Sequence, residues 1–550
     1  MTDVPDRSGR TEDVFSGSSR AGRHAGLWLS TLLAAFMLHI FWLHVVAEDA
    51  YISFRFAQNL ANGHGLVWNI GEAPVEGYTN FLWVILCAAM LKLGLEVELY
   101  STLLGSLASV LTLLICYAWA RRFMRLPAAS ALVPVVLLAA SGPLAAWAGS
   151  GMETALFGFL ITLGAYFFAG YWHGRPAWWL SLCAVCFTAA AMTRPEGAMV
   201  FCALGLIGLL MTAGTPRWRH FILPALIFTA LFGAYFLWRY SYFGWLLPNT
   251  FYAKTGGGST QIARGISHVM WFGALFAVPL VPALLTLIPQ GLKALRRPGS
   301  AEGMRFVRER AAFWLPAYLG LVYSAYIAAV GGDYMAMFRF FAPITPMICL
   351  FTGGLIGAGF AMTRSWIPRA AFAIGIGAIL IQSTPAEAKL FPKMWNNHGT
   401  WRGIETERWH VNRLTRIGEH FQSLRTSYDD SIATDGIGAI AFAADMKVIG
   451  LHGLVDVHIA HKEFGEGELG SGLPGHERGD LDYIFSKRPA YFMFNRRLSD
   501  EAFARSPKKM PAKAAEIVAA EYELASDYLV DSANGEAGYF TYLKRVASDD

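Results

Sequence analysis

Residues 27–47 read LWLSTLLAAFMLHIFWLHVVA, and Glu48-Asp49-Ala50-Tyr51-Ile52-Ser53-Phe54-Arg55 follows at once. The first run is 21 residues long and holds no Lys, Arg, Asp or Glu. At about 1.5 Å per residue it crosses a hydrocarbon core of about 30 Å. It is too long for a signal-peptide core and no small-residue cleavage site follows, so it reads as a retained anchor. The second stretch opens with two acids and continues with Ile52, Phe56 and Leu60 at i, i+4 and i+8, a helical spacing that Gly63 and Gly65 stop. A span that delivers two carboxylates directly into a helix at the membrane surface governs the reading of the rest.

The composition agrees. Of 550 residues, 55% are hydrophobic and 15% charged, against about 25% charged in soluble proteins. Mean hydropathy is +0.38. This excludes disorder, a collagen-like fibre and a purely soluble enzyme. A net charge of +5 without a basic run or basic-aromatic stripe argues against nucleic acid as a partner. All six cysteines lie in apolar segments, so the polar last third has neither a disulfide framework nor a thiol-based zinc site.

Further spans read at 100–120, 128–147, 154–171, 177–193, 197–213, 221–240, 269–290, 313–331, 341–362 and 366–382. With 27–47 these make about 11 transmembrane helices. The stretch 81–95 is short and contains Lys92. Placed along the interface, it leaves 18 Lys and Arg on the inner side and 7 on the outer, and the positive-inside rule holds throughout. The expected fold class is a polytopic α-helical membrane protein with a C-terminal extracytoplasmic α/β domain. Residues 1–26 are expected to be a disordered cytoplasmic tail. Residues 27–382 form the membrane domain, with an outer loop at 48–99 carrying interfacial helices, and 383–550 form the soluble domain. That last segment carries a net charge of −5. Residues 431–433, 448–451 and 490–494 read as strands, and 406–425 and 511–525 as helices.

With the N-terminus inside, six polar clusters fall on the outer face. They are Glu48-Asp49 through Arg55; Glu76-Gly77-Tyr78-Thr79-Asn80; Gly151-Met152-Glu153-Thr154; Thr193-Arg194-Pro195-Glu196-Gly197; Leu247 through Asn249, Tyr252 and Lys254; and Gly332-Asp333-Tyr334 followed by Arg339. Ionisable groups at the edge of an apolar bundle are costly unless paired or facing a cavity, which makes them site candidates. Taken alone, each has a structural explanation too. Asp49 can serve as a helix cap or as a general base within reach of a substrate hydroxyl. Arg194 and Glu196 can pair with each other, Glu153 can cap a helix, and Lys254 can snorkel. Gly256-Gly257-Gly258 reads as a linker, since no Gly-Lys-Ser/Thr follows it. His458 and His461 stand three apart without a thiol or a clear acid set, so no metal is assigned.

The first three motifs, from Glu48-Asp49 through Asn59–Val67 to Val75–Trp83, resemble the first outer loop of GT-C-type membrane glycosyltransferases. The arabinofuranosyltransferases of actinobacterial cell walls and their bacterial relatives are the most similar group. Gly151–Thr154, Thr193–Gly197, Leu247–Lys254, Gly332-Asp333, Thr434–Ile440 and Pro474–Glu477 resemble it too. One departure is Glu48-Asp49, where relatives often carry two aspartates. The resemblance implies a polyprenyl-phosphate-linked sugar as donor, a cell-envelope glycan as acceptor, the lipid bilayer as environment and the outer face of the bacterial inner membrane as location. It leaves the oligomeric state open. It makes Asp49 the catalytic base with Glu48 in support. Lys254, Arg194, Arg339 and Arg55 would contact the donor phosphate. Glu76, Tyr78, Asn80, Glu153, Glu196, Asn249, Tyr252, Asp333 and His476 would contact sugar or acceptor. A monophosphate leaving group held by Lys and Arg requires no metal or other cofactor. The alternatives are a polytopic transporter with an outer substrate-binding domain, and a GT-C enzyme moving a different sugar to lipid or protein.

Overall fold

The computed structural model describes residues 20–274, 310–362, 366–384, 401–464, 469–470, 472–473, 475–503 and 510–546. The expected span 269–290 falls, from residue 275 onward, outside the described residues, as does most of the expected tail. The first helix already starts in that tail: it runs Arg20–Leu43, and four residues separate its end from Glu48. Helix Glu48–Ala61 follows and packs on helix Phe81–Lys92. The latter has 12 residues, about 18 Å at 1.5 Å per residue, which is short of a hydrocarbon core.

Among the described residues, five helices are long and apolar enough to cross a membrane: His24–Leu43, Val97–Arg122, Thr154–Trp172, Pro216–Phe243 and Ala311–Val330. Shorter apolar helices include Trp178–Thr193, Glu196–Thr212 and Thr345–Ala361. The protein is thus a polytopic helical membrane protein. Two expected spans are not single helices. Residues 128–147 divide at Ser141 into Leu132–Ala140 and Gly142–Ala148, because Ser141 is extended and Pro143 cannot donate to the turn before it. The span beginning at 341 is preceded by a 3-10 turn, Ala336–Phe341, in which Met337 and Phe338 have φ of 53° and 47°. Bulky side chains avoid this left-handed region, and here they stand directly before Arg339.

The C-terminal segment is an α/β domain. Among the described residues its strands are β1 (Ser431–Thr434), β2 (Lys447–Gly450), β3 (Tyr491–Phe492), β4 (Tyr522–Asp531) and β5 (Glu536–Arg545), in the order β2-β1-β3-β5-β4. β1 runs parallel to β2 and β3, while β5 is antiparallel to β3 and β4. The helix expected at 511–525 stops at Glu521, and β4 begins at the next residue. Helix Trp401–Leu424 packs on helix Ala439–Ala444, which packs on Glu48–Ala61. Ile404, Ile437, Ala441, Val448 and Val455 belong to the same apolar core as the membrane helices. The domain is therefore joined to the bundle by shared burial. Gly438 is required at this seam: a Cβ there would collide with the Glu48 carbonyl oxygen.

Candidate active site

Helix Glu48–Ala61 places Asp49 in its first turn. Asp49 Oδ2 accepts from Arg339 Nη1 at 2.8 Å, and Arg339 Nε donates to Asp333 Oδ2 at 2.7 Å. Asp333 also accepts from the Tyr334 amide at 2.9 Å. One guanidinium thus bridges two carboxylates. The Arg339 side chain is 5% exposed and that of Asp49 is 20% exposed, so the pair is partly open on the Asp49 side. Burial alone would raise the Asp49 pKa, but the charges of Arg339 and Lys254 outweigh it and hold the carboxyl below its ordinary value.

Lys254 ends the short helix Asn249–Lys254. Solvent reaches its side chain, and among the described residues it has no ion pair or hydrogen bond. Surrounding protein pulls the ammonium below its ordinary pKa, while Asp49 pulls it back up. Its stem runs over Gly475, where φ is +82° and a Cβ would come within 3.0 Å of Lys254 Cε. The neighbouring His476 ring lies 5.4 Å from that of Tyr334.

A second cluster abuts the first. Arg194 donates from Nε to Glu196 Oε1 at 2.6 Å and from Nη1 to Glu153 Oε1 at 2.7 Å. Glu153 Oε2 accepts from Asn80 Nδ2 at 2.8 Å, and Asn80 also reaches Ser53 Oγ at 2.9 Å. The Tyr323 hydroxyl donates to Glu196 at 3.3 Å. The Phe340 ring separates the two clusters, with the guanidiniums of Arg194 and Arg339 at 5.4 and 5.2 Å from its centroid.

Several expected residues lie elsewhere. Arg55 is buried and donates to the carbonyls of Trp68, Ala441 and Met446 and to Asn69 Oδ1, so it ties helix Glu48–Ala61 to the C-terminal α/β domain and is withdrawn as a phosphate contact. Glu76 is held by Arg239 through both oxygens, with both side chains at most 5% exposed, and is not available to a sugar. Tyr78 is buried against Phe56 and Phe243. Asn249 donates to carbonyls of Gly453 and Leu454, and the Tyr252 ring packs at a tilt on His461 with centroids 4.3 Å apart, so both stitch the two domains together. Glu48 turns away from Asp49's partners and accepts from the Gly438 amide. Burial and the Asp49 charge push it up to about 8. At neutral pH it is therefore mostly uncharged and a poor partner for catalysis.

Glu407 was missed by sequence reasoning. It accepts from the Glu48 amide at 3.0 Å and lies within electrostatic range of Asp49, Arg339 and Asp333. It is one of many charges in a polar helix 358 residues downstream of Asp49, and no local signal sets it apart.

The bundle of apolar helices, with ionised residues gathered at helix ends and an α/β domain seated over them, has counterparts of known structure. The chain superimposes on crystal structures of ArnT from Cupriavidus metallidurans. With the undecaprenyl phosphate complex the TM-score is 0.51 at 13% identity, over 78% of this chain and 86% of that one. With the apo form it is 0.52 at 14%, over 80% and 87%. At such identity the likeness is one of fold. In sequence the chain is similar to terminal beta-(1->2)-arabinofuranosyltransferases. It is 29% identical to that of Mycobacterium tuberculosis over 345 residues, which is 56% of this chain and 52% of the relative. It is 28% identical to that of Corynebacterium glutamicum over 375 residues, 59% and 52%. The match spans about half the length of these relatives. Residues 402–543 match a family described as a domain of unknown function, DUF8728.

Proposed function

We propose that the protein is a polyprenyl-phosphate-sugar-dependent glycosyltransferase that moves arabinofuranose to a cell-envelope glycan at the outer face of the inner membrane. The observation that carries this reading is the grouping of Asp49, Arg339 and Lys254: a partly exposed ionised carboxylate, its partner guanidinium, and a cation that among the described residues has no ion pair. Asp49 takes the proton of an acceptor hydroxyl as that oxygen bonds to the anomeric carbon. The bond from that carbon to the phosphate breaks, its electron pair goes to the phosphate oxygen, and Lys254 stabilises the charge that develops there. Arg194 and Arg339, each already held by two carboxylates, keep the acids in place and supply a positive background. Glu153, Glu196, Asn80 and Asp333 are buried and already paired, as Glu76 is, so they hold the two guanidiniums in place and are withdrawn as sugar contacts, while His476 remains assigned to sugar or acceptor hydroxyls. The similarity to arabinofuranosyltransferases supports the sugar, and undecaprenyl phosphate in the ArnT structure supports a polyprenyl-phosphate donor. The chemistry proposed needs no cofactor. A transporter would more often place such groups near mid-membrane inside broken helices, whereas here they cluster at helix ends.

The test is turnover by the purified full-length protein in lipid nanodiscs. Supplied with polyprenyl-phosphoryl arabinofuranose and an arabinan oligosaccharide, it should lengthen the acceptor by one pentose, read by mass spectrometry. Pentose transfer absent while a polyprenyl-phosphoryl hexose is consumed would replace the sugar, and consumption of neither donor would refute the enzyme reading. The outer location follows from the charge asymmetry. Reporter fusions at residues 124 and 215 are expected inside, and those at 65, 258 and 450 outside.

A further inference from the structure

Helix Glu48–Ala61 begins after Ala47, which has no side chain able to cap it. The first amides of a helix have no partner inside it and need acceptors from elsewhere. The C-terminal domain supplies one: Glu407, in helix Trp401–Leu424, accepts from the Glu48 amide at 3.0 Å. The exchange is reciprocal, since the Glu48 carboxyl oxygen accepts from the Gly438 amide at the head of helix Ala439–Ala444. Arg408, the next residue after Glu407, donates to the carbonyls of Trp42 and His44 at 2.7 and 2.8 Å. Adjacent residues of the soluble domain therefore grip the chain on both sides of the turn, from Trp42 at the end of the first membrane helix to Glu48. That turn leads straight into Asp49.

We propose that Glu407 is a positioning residue: through it the C-terminal domain fixes the first turn of helix Glu48–Ala61, and with it the place at which the Asp49 carboxylate meets Arg339. This rests on the reading of Asp49 as the base. Glu407 acts as an anionic cap at the positive end of that helix. Burial pushes it up to about 6, so it still carries its charge at pH 7. The domain is accordingly a built-in part of the catalytic centre and not a detachable acceptor module. An active site spread over two domains keeps a base in register only if the helix carrying it is tied to both; Arg55 ties the middle of that helix, and residues 407 and 408 tie its first turn and the chain leading into it.

The experiment uses the full-length protein in nanodiscs and two variants, Glu407→Ala and Glu407→Gln. Hydrogen exchange of the amides at 48–52 is read by mass spectrometry, and kcat and donor KM are measured in parallel. In the Ala variant, loss of a cap should speed exchange of these amides about 5- to 30-fold, the equivalent of about 1–2 kcal/mol. It should lower kcat while leaving donor KM within about twofold. The Gln variant keeps an acceptor oxygen and should recover most of both. Unchanged exchange in the Ala variant would overturn the proposal, as would equal losses in Ala and Gln accompanied by a raised donor KM. Should the Ala variant lose its fold, Glu407→Asp decides: a carboxylate one methylene short should give intermediate exchange and intermediate kcat, and full kcat with fast exchange would overturn the proposal. If the unaltered protein transfers no sugar, the proposed function fails, yet the exchange measurement still decides whether Glu407 holds the helix.

Discussion

Replacing Asp49 by Asn should separate its chemistry from its structure, because the two roles predict effects of opposite sign. The amide oxygen of Asn can still accept from Arg339, whose other arm stays on Asp333 at 2.7 Å, so the fold should survive. Asn cannot take a proton, and loss of a general base typically lowers turnover by about 10²–10⁴-fold. The charge balance then predicts a second effect. Arg339 and Lys254 are together offset by Asp49 and Asp333, and removing one carboxylate leaves a net positive charge beside the site. A unit charge at about 6 Å in an effective dielectric near 20 interacts by about 3 kcal/mol, and screening in a wet site reduces this to about 1 kcal/mol or more. Undecaprenyl phosphate should therefore bind the Asn variant about 5-fold tighter or better. The assay is paired: turnover of the sugar donor, and the Kd of undecaprenyl phosphate in nanodiscs, with the melting temperature as a check on folding. Near-normal turnover in a well-folded variant would reduce Asp49 to a helix residue. Weaker binding of the lipid phosphate would refute the charge argument.

Lys254→Ala should weaken donor use about 10- to 150-fold, since a charge-assisted contact contributes about 1.5–3 kcal/mol, and Lys254→Arg should restore part of it; unaltered donor kinetics would move the phosphate to Arg194 or Arg339. Glu76→Ala leaves Arg239 buried and unpaired and should cost about 3–5 kcal/mol of stability, seen as a large fall in melting temperature, while the apolar double variant Glu76→Leu with Arg239→Met should recover most of it. Glu48 predicts a pH effect. Its proton is held up to about pH 8 in the folded protein but is released near the ordinary carboxylate value of about 4.3 when unfolded, so stability should fall as pH rises between these values. Glu407, raised to about 6, adds to the same trend only below that pH. Between pH 6 and 8 the melting temperature of the unaltered protein should therefore drop and that of Glu48→Gln should stay flat; a rise in the unaltered protein would show that the sign is wrong.

Much of the candidate site could be read along the chain, and its failures share a cause. Asp49, Arg194, Lys254 and Arg339 were singled out because a charge at the edge of an apolar run is expensive to place without a purpose. Arg55 and Glu76 satisfied the same criterion and are structural. What distinguishes them is a partner: Arg55 spends its donors on carbonyls such as that of Ala441, 386 residues away, and Glu76 is taken by Arg239, 163 residues away. Composition also blurs boundaries where one element runs into another. Helix Ala512–Glu521 passes directly into β4, and the apolar and charged residues at 522–525 suit a helix face until β5 is present to pair with them.

The sequence by itself determined that the chain is a polytopic membrane protein with a polar C-terminal α/β segment, and which loops carry its unusual charges. These follow from the length of apolar runs and from local periodicity, which depend only on neighbours. Tertiary structure alone decided which charges meet. It brought Asp49 to Arg339 across 290 residues, left Lys254 without an ion pair among the described residues, and set Glu407 of the C-terminal domain on the helix that carries Asp49. An ionised group near an apolar bundle is stable only with a counter-charge or hydrogen-bond partner at about 3 Å, and that distance is fixed by how helices far apart in the chain pack together.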